Sequence, residues 1–347
     1  MKSRVLSVSR AAVVLLVAAL TVTATSAFAP TPAASEITLA PSATRPPTPP
    51  STTRANRVVR EHFRLGDSPL QRIFPNADNY AARSNPQSPL LLFLAATGHH
   101  PSQYRDFLAT ARNVGYHVLA LDYWNNGMSV ARTCGTNSRC YTEVQRNRLD
   151  GSNPSQFSSV NPANSIVSRL RDSLLHLQRV DRTGNWEQFL HGNTIDWQNI
   201  VVAGHSQGGG EAAYISHLHS VRGVLMFSSP VDSDQGVNAS WMSSRGATPP
   251  SRMYGLDDSG DIFSSRVIAS WNALGMGALG PVADADSGTP GSSHELVSYL
   301  DLGTPKQAHL RDITDNVPLE QGKPVYAAVW RWMLAQPYRA RGAATAS

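Results

Sequence analysis

Residues 199–214, Asn-Ile-Val-Val-Ala-Gly-His-Ser-Gln-Gly-Gly-Gly-Glu-Ala-Ala-Tyr, restrict the fold of this chain more than any other stretch. Residues 200–203 form a short apolar run rich in β-branched side chains, the pattern of a buried strand. Gly204-His205-Ser206-Gln207-Gly208 follows without a spacer, and residues 211–218 read as helix. A strand that feeds a helix through a G-x-S-x-G turn must bend sharply, with the serine at the tip in a strained backbone conformation. A Cβ two residues to either side would collide with strand or helix, so glycine stands at 204 and 208. The turn lifts the Ser206 hydroxyl above the sheet, beside the positive end of the helix. A glycine-rich turn after a strand can also be nothing more than a turn, and the surrounding chain has to decide between the two.

Residues 58–65 and 70–75 read as two opening strands at a sheet edge. Residues 90–96 (Leu-Leu-Leu-Phe-Leu-Ala-Ala) are almost continuously apolar, suited to a parallel strand covered on both faces. Thr97-Gly98-His99-His100-Pro101 is a loop. Residues 102–113 place Tyr104, Phe107, Leu108 and Ala111 at helical spacing, with Gly115 as the stop. A strand follows at 117–123. Residues 124–163, rich in Asn, Ser and Gly, read as an irregular surface excursion, and so long a loop in a compact domain is often functional. Helix resumes over 164–180 with Ile166, Leu170, Leu174 and Leu177 on one face. Past the 199–214 unit come a strand at 221–228 and a shorter one at 253–256 that runs into Asp257-Asp258-Ser259-Gly260-Asp261. A helix at 262–274, a last strand at 294–302 and a closing helix at 324–334 complete the order. This alternation predicts an α/β fold with a mostly parallel sheet flanked by helices.

The N-terminus has the marks of an export signal. Lys2, Arg4 and Arg10 precede or open an apolar core at 11–20, and small residues lead through Ala27-Phe28-Ala29. Residues 1–29 therefore read as a secretory signal peptide, with an apolar core too short to span a membrane. Cleavage after Ala29 would leave Pro30 beside the scissile bond, so cleavage after Ala27 is the alternative. The expected location is extracellular or periplasmic. Removing residues 1–29 takes away three basic and no acidic side chains, so the net charge of +5 becomes 5 − 3 = +2. With that charge and no basic patch interleaved with aromatics, nucleic acid is not an expected partner. No other stretch reaches about 18 uninterrupted apolar residues, so no integral membrane segment is expected in the mature chain.

Residues 30–53, rich in Pro, Thr and Ala, read as an extended disordered tail. That leaves one domain at 54–337 and a flexible C-terminal tail at 338–347. Hydrophobic residues make up 41% of the chain, which excludes wholesale disorder. Cys134 and Cys140 are its only cysteines, and in an exported protein they are expected to form a local disulfide. A metal pair there would lack third and fourth ligands. Neither a metal nor a cofactor is required by any motif. Asn238-Ala239-Ser240 is a glycosylation sequon, which matters only in a eukaryotic host.

The element order, and the Gly-His-Ser-Gln-Gly turn after what would be the fifth strand, resemble the α/β-hydrolase family over about residues 58–336. Asn126-Gly127-Met128-Ser129, after Tyr123, is a partial match to a Gly-x-Gly-x-Ser-like turn of that family. The resemblance implies a nucleophile at Ser206, followed in the chain by an acid and then a histidine, each on a loop after a strand. Acyl transfer needs a base for the hydroxyl proton, an acid to orient that base, and donors for the oxyanion. Asp261 is favoured as the acid, because Ile262-Phe263 after it match the family's Asp-x-hydrophobic step into a helix. Asp258, at a Gly-x-x-Asp spacing from Gly255, is the alternative, and Asp232 and Asp234 after the preceding strand are outsiders. Aspartates without that role would serve as helix caps. Of the two downstream histidines, His294 opens the last strand, the wrong end for a site at strand C-termini. His309 is therefore the expected base.

The resemblance assigns the oxyanion to the Gln207 amide and to the His99 amide, in Thr97-Gly98-His99, where the family often has His-Gly-x. His99 and His100, like His217 and His219, lack the spacing or partner carboxylate of a metal site. The connection 228–251 is too short for a large helical lid, which predicts an open cleft or one walled by residues 124–163. The turn also resembles those of secreted esterases and polyester-cleaving cutinases. What this implies is a secreted serine carboxylic-ester hydrolase that works through an acyl-enzyme on a small-molecule, lipid or polymeric ester. A serine peptidase, an acyltransferase or a catalytically silent binding protein on the same fold are the other readings.

Overall fold

The structure, a computed structural model, describes residues 60–65, 78–288 and 290–339, all within one compact unit that spans Thr52–Ser347. The signal-peptide segment at 1–29, the tail at 30–53, the strand expected at 70–75 and residues 340–347 lie outside the described residues.

The core of the fold is a sheet of nine strands: β1 (Arg60–Phe63), β2 (Asn79–Ala82), β3 (Leu90–Leu94), β4 (His117–Leu121), β5 (Ile200–His205), β6 (Gly223–Phe227), β7 (Met253–Asp258), β8 (Ala283–Asp284) and β9 (Glu295–Ser298). Their order across the sheet is β1-β2-β4-β3-β5-β6-β7-β9-β8. β2 runs antiparallel to both β1 and β4, and every other pairing is parallel. Among the described residues there are eight α-helices: α1 (Arg105–Val114), α2 (Val130–Cys134), α3 (Ser138–Asp150), α4 (Ile166–Val180), α5 (Gln207–Leu218), α6 (Ser264–Ala273), α7 (Pro305–Arg311) and α8 (Ala327–Arg339).

Side chains alternate between the two faces of a strand, so the continuous apolar runs of β3 to β6 feed two cores at once. Leu90, Leu92, Leu94, Ile200, Val202 and Val224 pack under α3, α4, α5 and α6. Leu91, Phe93, Val201, Ala203, Leu225 and Phe227 face α1 and α8, where Phe107 and Trp330 meet edge to face. None of the described helices is long and apolar enough to cross a membrane.

Several elements differ from the sequence reading, among them β2, the segment 124–163 and the C-terminal helix. Strand β2 was not expected, because Asn-Tyr-Ala-Ala carries no β-branched residue. Buried Asn79 secures it instead, donating to the Phe63 carbonyl and accepting from the Asp122 amide. Residues 124–163 are not an irregular excursion, since they hold α2 and α3, joined by the Cys134–Cys140 disulfide with a Cα–Cα separation of 5.4 Å. Hydropathy misses α3 because Gln145, Asn147 and Arg148 are buried beside Tyr141, Val144 and Leu149. Asn147 makes the burial tolerable: its carbonyl accepts from Ser158 and Val160, and its amide donates to two backbone carbonyls. At the C-terminus, Tyr338 and Arg339 belong to α8 rather than to a tail, and Tyr338 packs on Tyr116.

Candidate active site

The turn between β5 and α5 has the geometry its glycines foretell. Ser206 sits at φ 52° and ψ −118°, a conformation that costs a non-glycine residue on the order of 1–3 kcal/mol. Its backbone is over-determined: the amide donates to the Phe227 carbonyl, and its own carbonyl receives the Gly209 and Gly210 amides. A Cβ on Gly204 would lie 2.3 Å from the Gly208 carbonyl carbon, and one on Gly208 would lie 2.1 Å from the Leu94 oxygen. Both obstacles are backbone, so only glycine lets α5 sit this close to β3 and β5.

His309 meets this serine from a helix, not from a loop. Thr304 caps α7 and Pro305 opens it, and His309 one turn later turns its ring inward while Lys306 and Gln307 stay exposed. His309 Nε2 lies 2.8 Å from Ser206 Oγ, and His309 Nδ1 lies 2.7 Å from Asp261 Oδ2. The second Asp261 oxygen accepts the Phe263 amide at 2.7 Å. Burial alone would raise the Asp261 carboxyl, but the hydrogen bond and charge of His309, with help from the Phe263 amide and Asp257, hold it below its usual range. The structure thus brings together Ser206, His309 and Asp261 across 103 and 48 residues of chain.

The other expected candidates go elsewhere. Asp258 turns its carboxylate back on the Gly260 amide. Asp232 accepts from Gln145 and Trp241 beneath α5, and Asp234 pairs with Arg266. His294 lies at the opposite end of the sheet, stacked on Tyr254, with its ring bonded to the Met253 carbonyl. His100 bonds to Ser102, His219 stacks on Trp197, and among the described residues no group of three or more His, Cys, Asp or Glu could hold a metal.

The oxyanion assignment needs one correction. The Gln207 amide opens α5 and has no acceptor among the described residues, as expected of a helix's first donors. The His99 amide, in contrast, donates to the Ala96 carbonyl at 3.0 Å, and the His99 carbonyl accepts from Asn125. A tight turn has consumed this donor. The Thr97 amide two residues earlier has no such acceptor, and Thr97 lines the same cleft as Ser206 and His309. The Thr97 hydroxyl also donates to the Gln207 side chain at 2.8 Å, which ties the two loops together.

This is the α/β-hydrolase fold. The sheet is parallel apart from its antiparallel second strand, helices cover both faces, and the G-x-S-x-G turn follows the fifth strand. No protein-family model and no curated protein matches the sequence. Among solved structures, the chain is similar to TT1662 from Thermus thermophilus, at 18% identity over 82% of this chain and 100% of that one, TM-score 0.39. Another is esterase Est2 of Thermogutta terrifontis, at 13% identity over 84% and 96%, TM-score 0.38. A third is carboxyl esterase 2 of Tuber melanosporum, at 10% identity over 83% and 89%, TM-score 0.41.

Ser206 and His309 open onto a cleft of about 350 Å³. Met128, Ile262 and Phe263 make its walls mainly apolar, while Arg132 and Lys306 bring positive charge to its lining and no Asp or Glu among the described residues lines it. One wall is residues 127–132, so the segment 124–163 does shape the cleft, whereas nothing from 229–251 lines it. The latter connection folds into a small hairpin and a turn, with Trp241 buried away from the cleft.

Two further acids stand behind the site. Asp257 is buried, and burial first, then the neighbouring Asp261 charge, push its carboxyl well above the carboxylate range. Asp312 is fully buried against the Ser228 hydroxyl, and burial first, then the Asp257 and Asp261 charges, push it well above the carboxylate range. Burial thus pushes these two carboxyls up, while His309 holds Asp261 down. Sequence offers only a weak sign of them, an Asp pair ending an apolar strand and an Asp three residues past His309.

Proposed function

We propose that this protein is an exported serine hydrolase that cleaves carboxylic esters through an acyl-enzyme. The observation that carries the reading is the relay from Ser206 Oγ to His309 Nε2 and from His309 Nδ1 to Asp261, at the floor of a mainly apolar cleft. In this reading His309 takes the Ser206 proton as the serine oxygen attacks the ester carbonyl. Asp261 holds the ring in the tautomer that leaves Nε2 free to accept. The carbonyl oxygen, now negative, is received by the Gln207 and Thr97 amides at the positive end of α5. His309 passes its proton to the departing alcohol, leaving an ester on Ser206. A water then repeats the sequence, with its proton going to His309 and on to Ser206 as the acid leaves. Export is supported by the composition of residues 1–29.

The test is to treat the mature protein with a fluorophosphonate and find the adduct by peptide mass spectrometry. The expected result is one adduct, on Ser206, with ester turnover abolished in step. A protein that hydrolyses no ester and takes no label is a binding protein on this fold. Faster turnover of a matched amide than of the ester would instead make it a peptidase.

A further inference from the structure

We infer that His205, the residue before the nucleophile, is a positioning residue for His309, held in one tautomer by Tyr104. The inference rests on the catalytic role proposed for His309.

His205 ends β5 with no exposed surface. Its Nε2 lies 2.7 Å from the backbone oxygen of His309, and its Nδ1 lies 2.9 Å from the Tyr104 hydroxyl. That hydroxyl also receives the Ala96 amide, at 3.1 Å. The proton directions in this chain follow without choice. The Ala96 amide can only donate, so the Tyr104 oxygen accepts there and aims its own hydrogen at His205 Nδ1. Nδ1 therefore carries the lone pair, Nε2 carries the hydrogen, and that hydrogen goes to the His309 carbonyl, which can only accept.

The groups facing the ring agree with a neutral imidazole. Burial first, and then the charges of His309 and His99, keep His205 well below the usual histidine range. The nearest carboxyl, Asp312, stands 4.0 Å from Nε2, beyond hydrogen-bond reach. The His309 and His99 rings stand at centroid distances of 5.3 and 6.2 Å.

This chain does what the triad bonds cannot. α7 is seven residues long, with an exposed N-terminal turn. Asp312 at its C-terminal end is tied to Ser228 and Trp330, and the Ile262 amide reaches Pro305 at its start, whereas the His205 bond acts on the backbone of His309 itself. The His205 bond pins the His309 backbone to the end of β5, next to Ser206 itself. The nucleophile and the base are then referred to one rigid strand. The link through Tyr104 to Ala96 brings in the end of β3, where the Thr97 amide begins its loop. A displacement of about 1 Å at such a site can cost on the order of a hundredfold in rate.

The experiment uses the intact protein and three variants, His205→Gln, His205→Asn and Tyr104→Phe. The Gln amide can reach the His309 carbonyl and the Asn amide cannot. We expect Asn to lower kcat by about 10- to 100-fold with KM within about threefold, and Gln to recover most of the loss. Tyr104→Phe should fall between them, because the ring loses the donor that selects its tautomer. Nitrogen NMR of the His205 ring gives a readout independent of turnover, with a single Nε2–H tautomer expected in the parent and a mixture in Tyr104→Phe. A folded His205→Asn variant with unchanged kcat overturns the inference, as does an Nδ1–H tautomer in the parent protein. Equal losses in Gln and Asn would reduce His205 to a packing residue and overturn it too. If the parent neither labels at Ser206 nor turns over esters, the functional reading fails, while the tautomer measurement still decides the geometry.

Discussion

Replacing Asp261 by Asn is the sharpest probe of the site, because the structure dictates how the amide must lie. One Asp261 oxygen accepts the Phe263 amide at 2.7 Å and the other accepts from His309 Nδ1 at 2.7 Å. The Phe263 N–H can only donate, so the Asn oxygen must stay on that side and the NH2 must face His309. Two donors cannot share that line. The imidazole answers by moving its proton to Nε2, which removes the lone pair that receives the Ser206 proton. The expected loss is on the order of 10⁴ in kcat/KM, equivalent to about 5.5 kcal/mol of transition-state stabilisation. Asp258→Asn is the matched control, since its contact with the Gly260 amide survives the change and kcat/KM should stay within about threefold. Both are measured on a chromogenic ester, with a thermal melt to show that each variant is folded. Asp261→Asn retaining a tenth of the activity while Asp258→Asn or Asp257→Asn is dead would refute this assignment of the acid.

Three other outcomes follow from the same geometry. Gly208→Ala places a Cβ 2.1 Å from the Leu94 oxygen, so stability should fall by about 3 kcal/mol in denaturant melts, the upper end of the usual cost of overpacking. Glu211, on α5 and 3.7 Å from Arg148, is raised by burial from 4.5 to about 8. The folded state therefore holds a proton that the unfolded state releases, so stability falls as pH rises from 4.5 to 8, by up to about 1.4 kcal/mol per unit. Glu211→Gln should flatten that slope in melts taken across the window. Finally, Arg132 and Lys306 line a cleft with no acidic side chain on it, so an ester bearing a carboxylate should exceed its neutral isostere in kcat/KM. About two- to fivefold per cation is expected, falling in about 1 M salt and, for its share, in Arg132→Gln.

What could be read from the chain alone was local. The bend at Ser206 is set by glycines two residues to either side, and β3 and β5 are continuous apolar runs. Their signals lie within one turn or one strand of sequence. α3 and β2 escaped detection because they are held by buried polar side chains, Asn147 and Asn79, whose partners come from other segments. Asp257 and Asp312 escaped for a related reason: their carboxyls are raised only once burial removes water from them.

The strand–turn–helix around Ser206 and the α/β alternation were legible in the chain alone. Each is a matter of backbone conformation or periodicity over a few residues. That Asp261 and not Asp258, three positions apart on one turn, meets His309 is a matter of packing, because the Asp258 carboxylate folds back onto Gly260. Only the folded structure shows the His99 amide spent on Ala96 and His205 joined to the carbonyl of His309. Those contacts depend on how β5, β7 and α7 dock, and a distance across 48 or 104 residues of chain has no local spacing to record it.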